Sequence, residues 1–353
     1  MLKEKQRAII DFVRANQPVS RAAISKGVSV EMGDSTIRRL LLEMTPELIK
    51  SDGKGKATTY SISDAYKLFV PIDLEEYFNL SPDERIGKKF FNLDLIPDVL
   101  NNVELFTKEE LKHLNTLHEK YTKNIAPLSK SQIQKELEIL AIDLSWKSGE
   151  IEGNTYTLLE TEALLKYQEL AEGKKQEDAI MLLNHKDAID FIIAEPDYLK
   201  PITIVRIEDI HSILIKKLGV ERNIRERGVG IGGTDYKPLS VHQQIVDVMQ
   251  QMCYLVNSKD KVFEKALLLL ILISYIQPFN DGNKRTARII CNAILMENGY
   301  CPLSFRSVKA SDYKKAMLLF YEQNNLTEFK KIFIDQYQFA VNKYFNLNPE
   351  VTE

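Results

Sequence analysis

The residues best placed to do chemistry lie together at 277–288, which read Gln277-Pro278-Phe279-Asn280-Asp281-Gly282-Asn283-Lys284-Arg285-Thr286-Ala287-Arg288. A hydrophobic helix ends at Gln277-Pro278, and a new one starts at Lys284 or Arg285. It continues through Ile289, Ile290, Ala293 and Ile294. Backbone N–H groups at a helix start point outward, and the dipole there favours an anion. Gly282 lets a phosphate approach the backbone closely. Lys284, Arg285 and Arg288 place three positive charges in the first turn and a half, where cations disfavour the helix itself. A bound anion would offset them. Asp281 beside a phosphate is placed to hold Mg²⁺ through an oxygen ligand. These residue types at this spacing read as a polyphosphate site with a divalent metal. The plain alternative is a surface loop with a basic helix start. It leaves the specified residue types between two strong helices unaccounted for.

The elements that must position this loop are helical. Amphipathic or buried patterns run over 133–146, 158–169, 177–194, 207–218, 241–256, 263–276, 284–297, 311–322 and 326–344. The run Ala266–Ile276 is about half the length that spans a bilayer, so it reads as a buried core helix. Residues 226–239 interrupt the helices, and Val229, Ile231 and Gly232-Gly233 suggest a short β-hairpin. The fold class expected is mostly α, with one hairpin over the core and no fixed-period repeat. Residues 67–135 read as a helical connector, with Pro71, Pro82 and Pro97 and a charged helix over 108–123. The core domain follows over 136–345.

Residues 1–66 differ in charge and pattern. Residues 1–67 hold 12 Lys and Arg against 8 Asp and Glu, a head of +4 on a chain whose net charge is −3. Three short helices are expected, with Ser20 capping the second and Asp34 or Ser35 the third. A hairpin follows, its basic tip Asp52-Gly53-Lys54-Gly55-Lys56. This looks like a winged helix-turn-helix. Arg38 and Arg39 on the third helix and Lys54 and Lys56 on the wing would be its DNA-binding residues. The other reading is a protein-contact or dimerisation module.

The whole chain excludes several classes. With 353 residues, 44% hydrophobic and 27% charged, it is neither wholly disordered nor of low complexity. A net charge of −3 does not suggest whole-chain coating of nucleic acid or membrane. Three cysteines without CxxC spacing suggest neither a zinc site nor a disulfide framework, which fits a reducing cytoplasm. No secretory signal opens the chain, so a cytoplasmic protein off the membrane is expected.

The loop resembles that of the Fic (Fido) family, H-P-F-x-D/E-G-N-G-R-x-x-R, through Pro278, Phe279, Asp281, Gly282, Asn283, Arg285 and Arg288. The wider resemblance spans roughly residues 140–340. It implies ATP as cofactor with Mg²⁺, and transfer of AMP to a Ser, Thr or Tyr hydroxyl of a target protein. By resemblance Phe279 anchors the loop, Asp281 holds Mg²⁺, Gly282 and Asn283 form an anion cradle, and Arg285 and Arg288 meet the β- and γ-phosphates. Gly230, Ile231 and Gly232 lie in the flap, which would align a target strand. Tyr313 and Asn324 fall in the stretch that lines the adenine side. Self-association as a homodimer is a family-level expectation.

Two residues depart from that pattern. Gln277 stands where the family has its general-base His, and an amide cannot take a proton near neutral pH. No other histidine (His113, His118, His185, His211, His242) sits in the motif. Lys284 replaces Gly, giving the Asn-Lys-Arg pattern of the Doc branch, whose members act as kinases. Gly282 remains Fic-like. Upstream, Ser148-Gly149-Glu150-Ile151-Glu152-Gly153 is similar to the family's inhibitory motif S/T-x-x-x-E-G/N. Glu152 would pair with Arg288 and take the place of the γ-phosphate, with Ser148 holding the helix and Gly153 ending it. Three functions are thus in view: an autoinhibited adenylyltransferase nearly inactive for want of its base, a DNA-binding regulator using the fold as ATP sensor, and a Doc-like kinase. Trp146 reads as a core aromatic, the run Arg222, Arg225, Glu226, Arg227 as solvated or structural, and His242 as a helix-start neighbour.

Overall fold

A computed structural model describes residues 3–346, the side chain of Lys56 excepted. The chain divides into two compact units, one running to Ile72 and taking in Gln323–Thr327, the other holding the remainder from Asp73. The boundary falls inside the stretch read as a connector.

In the first unit α1 (Glu4–Asn16), β1 (Val19–Ser20), α2 (Arg21–Gly27), α3 (Asp34–Met44), β2 (Ile49–Asp52), β3 (Thr59–Ile62) and α4 (Asp64–Lys67) follow in order. The strands form an antiparallel sheet in the order β1-β3-β2, with Val19 opposite Tyr60 and Ile49 opposite Ile62. Ile9, Ile10 and Val13 of α1 share one face at helical spacing and pack on Ile24, Ile37, Leu40, Leu41, Ile49 and Ile62. The Ser20 hydroxyl accepts from the Ala23 amide at 3.3 Å and starts α2, as expected. The cap of α3 differs from expectation. Gly33 occupies it, and Asp34 is already helical and pairs with Arg21 at 3.5 Å. Arg38 and Arg39 lie on the exposed side of α3, where Arg39 binds Glu43 one turn on. Lys54 is exposed on the β2–β3 turn, and the Lys56 side chain lies outside the described residues.

The second unit contains α5 (Leu74–Asn79), α6 (Lys108–Ile125), α7 (Lys130–Glu152), α8 (Leu158–Tyr167), α9 (Gln176–Ala194), α10 (Ile204–Leu214), α11 (His242–Ser258), α12 (Val262–Ile276), α13 (Asn283–Glu297), α14 (Ala310–Gln323, its last residue in the first unit) and α15 (Thr327–Lys343, which begins in the first unit). Helix α12 is buried all round, as its unbroken apolar run requires. It packs most closely on α13, with α7, α9, α10 and α11 completing the layer around them. Helix α7 runs six residues beyond the expected end at Trp146. Its carboxyl-terminal half is buried, so Ser148 and Ile151 enter the core. Gly153 stops it in the left-handed conformation at φ +94°, where Gly carries no Cβ penalty.

The hairpin expected over 226–239 is not formed. Among the described residues of this segment the only ladder contact is a parallel bridge between Lys237 and Phe90. The physical reason is that its ends are tied by side chains instead of by each other. Buried Arg225 donates to the Gln277, Arg227 and Leu239 carbonyls, and Tyr236 donates its hydroxyl to the Tyr275 carbonyl at 3.0 Å. Gly228, Gly230, Gly232 and Gly233 between them disfavour an extended ladder.

No helix among the described residues is long and apolar enough to cross a membrane.

Candidate active site

Helix α12 ends because Gln277 takes a left-handed conformation, φ +52°, and Pro278 has no N–H to continue it. The loop is then held from inside. Phe279 is fully buried and stacks on the His211 ring, with centroids 3.7 Å apart and planes 4° from parallel. His211 faces two carbonyls, Arg222 O through Nδ1 and Asp281 O through Nε2, each at 2.9 Å. Burial pushes its pKa down, against the pull of those two carbonyls. Gly282 sits at φ +82°, and a Cβ there would meet the His211 ring at 3.4 Å. Asn283 accepts from the Phe279 amide at 2.8 Å through Oδ1. Its Nδ2 donates to Phe279 O at 2.8 Å and to Gln277 Oε1 at 3.0 Å. The Asn283 side chain is therefore a staple across the loop.

Gln277 is nearly buried, 9% exposed, and both ends of its amide are engaged. Nε2 donates to Ser274 O at 2.6 Å while Oε1 accepts from Asn283. It has no titratable group and little freedom to orient a hydroxyl. His211 lies behind the loop, His185 is buried on α9, and His242 turns its Nδ1 to Arg225 O.

The loop opens on a cleft of about 190 Å³ lined by Glu152, Val229–Gly232, Gln277 and Asn280–Lys284. That is below the ~300–1,000 Å³ usual for a small-molecule site. Glu152 reaches in from the end of α7 as part of the cleft wall. Its Oε1 accepts from Arg288 Nη2 at 2.9 Å and its Oε2 from Lys284 Nζ at 3.1 Å. Ser148 accepts from the same guanidinium, Oγ from Nε at 2.9 Å and the carbonyl from Nη2 at 3.2 Å. Burial favours the neutral acid, but Arg288 and Lys284 outweigh it and hold the Glu152 carboxyl at about 2. Arg288 is completely buried, and its Nη1 finds no hydrogen-bond partner.

Arg285 is turned differently. Its Nη2 donates to Asp281 Oδ2 at 2.7 Å, and its buried Nε has no hydrogen-bond partner. Asp281 keeps 64% of its side chain exposed at the cleft mouth. Among the described residues no three His, Cys, Asp or Glu group as metal ligands. Asp281 is a single exposed carboxylate, a donor that would suit Mg²⁺ only together with the phosphates of a bound substrate. The flap residues Gly230, Ile231 and Gly232 line the cleft, and a Cβ on either glycine would meet nothing within 4 Å.

Tyr313 lies under Arg288, 5.4 Å from ring centroid to guanidinium, packed against Phe305 and Phe329 in the core and absent from the cleft wall. Asn324 falls in the segment that groups with the first unit. Arg225 is 1% exposed, so it is structural and not solvated. The sequence reading assigned no role at the loop to His211 or Tyr236, whose carbonyl partners Asp281 O and Tyr275 O lie 70 and 39 residues along the chain. An aromatic and a cation beside a glycine-rich segment were the available signals.

Residues 201–295 match the Fic/DOC family. The chain is 29% identical over 178 residues to Protein adenylyltransferase Fic of Nematostella vectensis, covering 48% of this chain and 40% of that relative. It is 28% identical over 169 residues to the protein of the same name from Drosophila virilis, covering 46% and 34%. The match thus spans well under half of these relatives. Among solved structures, Fic-1 (residues 134–508) from C. elegans superposes with a TM-score of 0.58 at 18% identity, over 66% of this chain and 71% of that one. A Fic domain containing signaling protein from Bacteroides thetaiotaomicron gives 0.53 at 20%, over 65% and 92%. The stretch holding loop, flap and both arginines is therefore a match to the Fic/DOC family, set in a fold shared with Fic-domain structures.

Proposed function

We propose that the cleft binds ATP with Mg²⁺ and that the chain is a Fic-type protein adenylyltransferase, closed by Glu152 and slowed by Gln277. The observation that carries this is the Glu152 carboxylate lying on Arg288 and Lys284 at the start of α13, where a helix terminus already favours phosphate.

In AMP transfer a target hydroxyl forms a bond to the α-phosphorus. The bond from that phosphorus to the bridging oxygen breaks, and pyrophosphate leaves. Mg²⁺, held by Asp281 and the phosphates, would neutralise charge on the leaving group. The chain's own contributions are to fix the loop through Phe279 and Asn283 and to present cations to the phosphates. The flap residues Gly230, Ile231 and Gly232, which line the cleft, would meet the target segment there. The hydroxyl proton has no acceptor at position 277, which costs about 10²–10⁴-fold. Binding therefore persists while turnover is low. Calorimetric titration with ATP and Mg²⁺ tests this. Heat of binding that disappears in Arg288→Met supports it, and the same heat in both proteins rejects it.

A second proposal concerns the first unit. The order of its three helices and hairpin supports a winged helix-turn-helix, and exposed Arg38, Arg39 and Lys54 support contact with DNA phosphates. Replacing both arginines by Ala should weaken duplex binding and reduce its log–log salt slope by about 2. An unchanged slope removes this reading and leaves the protein-contact one.

A further inference from the structure

Helix α12 ends inside the protein, so its last carbonyls need partners other than water. Ser274 O takes the Gln277 side chain. The carbonyls after it are served by residues that bracket the flap. Tyr236 donates its hydroxyl to Tyr275 O at 3.0 Å, and Arg225 donates Nε to Gln277 O at 2.7 Å. The Arg225 amide donates to Pro278 O at 2.9 Å. The rest of the Arg225 guanidinium holds the flap where it begins and where it ends, Nη1 on Arg227 O at 2.6 Å and Nη2 on Leu239 O at 2.5 Å. We propose that Arg225, together with Tyr236, is a positioning residue that seats the flap on the carboxyl end of α12, so that a target hydroxyl carried by the flap meets the α-phosphate of a bound nucleotide beside residue 277. This rests on the transferase reading given above.

Three observations carry it. First, the middle of the flap has no anchor of its own. Among the described residues Val229–Gly232 make no hydrogen bond, and a Cβ on Gly230 or Gly232 would meet nothing within 4 Å. Their place on the cleft, which Gln277 also lines, is therefore set from the ends of the segment. Second, the other ties of the flap lead elsewhere. Gly233 O takes Arg85 Nη2 at 2.5 Å, and the Lys237 amide donates to Lys89 O at 2.8 Å. Among the described residues only the hydrogen bonds of Arg225 and Tyr236 join the flap to the end of α12. Third, Arg225 is 1% exposed and has no carboxylate partner among the described residues, while each of its three side-chain nitrogens faces a carbonyl. A buried cation without a counter-ion is costly, and the carbonyls at a helix's carboxyl end supply the negative field that offsets it. The planar fork reaches three carbonyls at once, which a lysine's single ammonium on a flexible stem cannot match.

The test uses the full chain with Gln277→His and Glu152→Gly, in which AMP transfer is expected, and adds Arg225→Lys or Tyr236→Phe. With α-³²P ATP, Mg²⁺ and dialysed cell lysate, one displacement has two products, read after subtracting what the lysate makes alone. In each, an oxygen bonds to the α-phosphorus, the bond to the bridging oxygen breaks and pyrophosphate leaves, and the attacking group's proton passes to the imidazole introduced at position 277. A target hydroxyl gives label on protein, and water gives free AMP. The first product alone needs the flap. Expected with Arg225→Lys is a ratio of protein-bound label to free AMP lowered roughly ten-fold, with ATP affinity by calorimetry held within about two-fold, because a misplaced reacting group loses rate without losing the nucleotide's own contacts. Tyr236→Phe keeps its ring stacked on Tyr275 and Tyr321 and loses one hydroxyl. It should lower the ratio about three-fold, the size of one neutral hydrogen bond, and it decides the matter if circular dichroism shows Arg225→Lys unfolded. An unchanged ratio in the folded variants, or loss of ATP binding and of both products together, makes Arg225 structural only and overturns the assignment. A starting chain that binds ATP but puts no label on protein overturns the transferase reading, and this one with it.

Discussion

Replacing Glu152 by Gln keeps the side chain's size and its hydrogen-bonding capacity but removes the charge from between Arg288 and Lys284. Breaking a buried pair by removing one partner costs about 3–5 kcal/mol when the other charge is left alone. Arg288 would not be left alone, since it keeps the Ser148 hydroxyl and carbonyl, and Glu152 is itself 19% exposed. A loss of about 2 kcal/mol is the reasonable figure. For a unit of this size that lowers the melting temperature by roughly 4–8 °C. The same 2 kcal/mol should appear with opposite sign in nucleotide binding, because ATP no longer displaces a charged competitor. Its affinity should rise about 30-fold. ATP at a hundred times its dissociation constant stabilises by about 2.7 kcal/mol, enough to restore what the substitution removed. Differential scanning calorimetry of parent and variant, with and without ATP and Mg²⁺, reads both effects. A variant that melts lower but gains no more from ATP than the parent refutes the reasoning. Glu152 would then be a structural ion pair and not a stand-in for phosphate.

Two further outcomes follow from the same geometry. Because the Glu152 carboxyl is held at about 2, below the ~4.3 of an unfolded chain, its ion pairs stabilise fully above the unfolded value. That contribution is lost as pH falls from about 4 through 2. The melting difference between parent and Glu152→Gln should therefore be flat from pH 5 to 8 and shrink below pH 4, as thermal melts across that range would show. Asn283→Ala removes three hydrogen bonds that staple the loop and leaves a buried Phe279 amide unpaired, for a cost of about 2–4 kcal/mol. Hydrogen exchange at the Phe279 amide should accelerate, and ATP affinity should drop in the same variant.

How much of this could be read from the chain alone depended on whether the determining partners were local. The loop was legible because Pro278, Gly282 and the basic residues after it lie in one short stretch between two strongly apolar helices. Those local rules determine a helix stop, a left-handed turn and a helix start. Glu152 and Ser148 could be named, and the structure brings both onto Arg288. The grip of Lys284 on Glu152 was not legible, because 132 residues separate them and a lysine at a helix start reads equally well as a phosphate ligand. The flap was misread as a hairpin for a related reason. Its alternation of Val229 and Ile231 satisfied a strand pattern, while the Arg225 and Tyr236 side chains that fix its ends bind carbonyls of other segments. The inward turn of Asn283 and the stacking of His211 under Phe279 likewise depend on atoms that only the folded chain brings near.

The most direct measurement of the central claim is labelling with α-³²P ATP and Mg²⁺ of the parent chain, of Gln277→His, and of Gln277→His with Glu152→Gly, each alone and with cell lysate. γ-³²P ATP runs in parallel. The account predicts α-label on protein in the Gln277→His chain, more of it when Glu152 is also replaced, and little in the parent. Label from γ-³²P alone would contradict AMP transfer and mark a Doc-like kinase, and no label from either nucleotide in any of the three chains would contradict a transferase scaffold at this site.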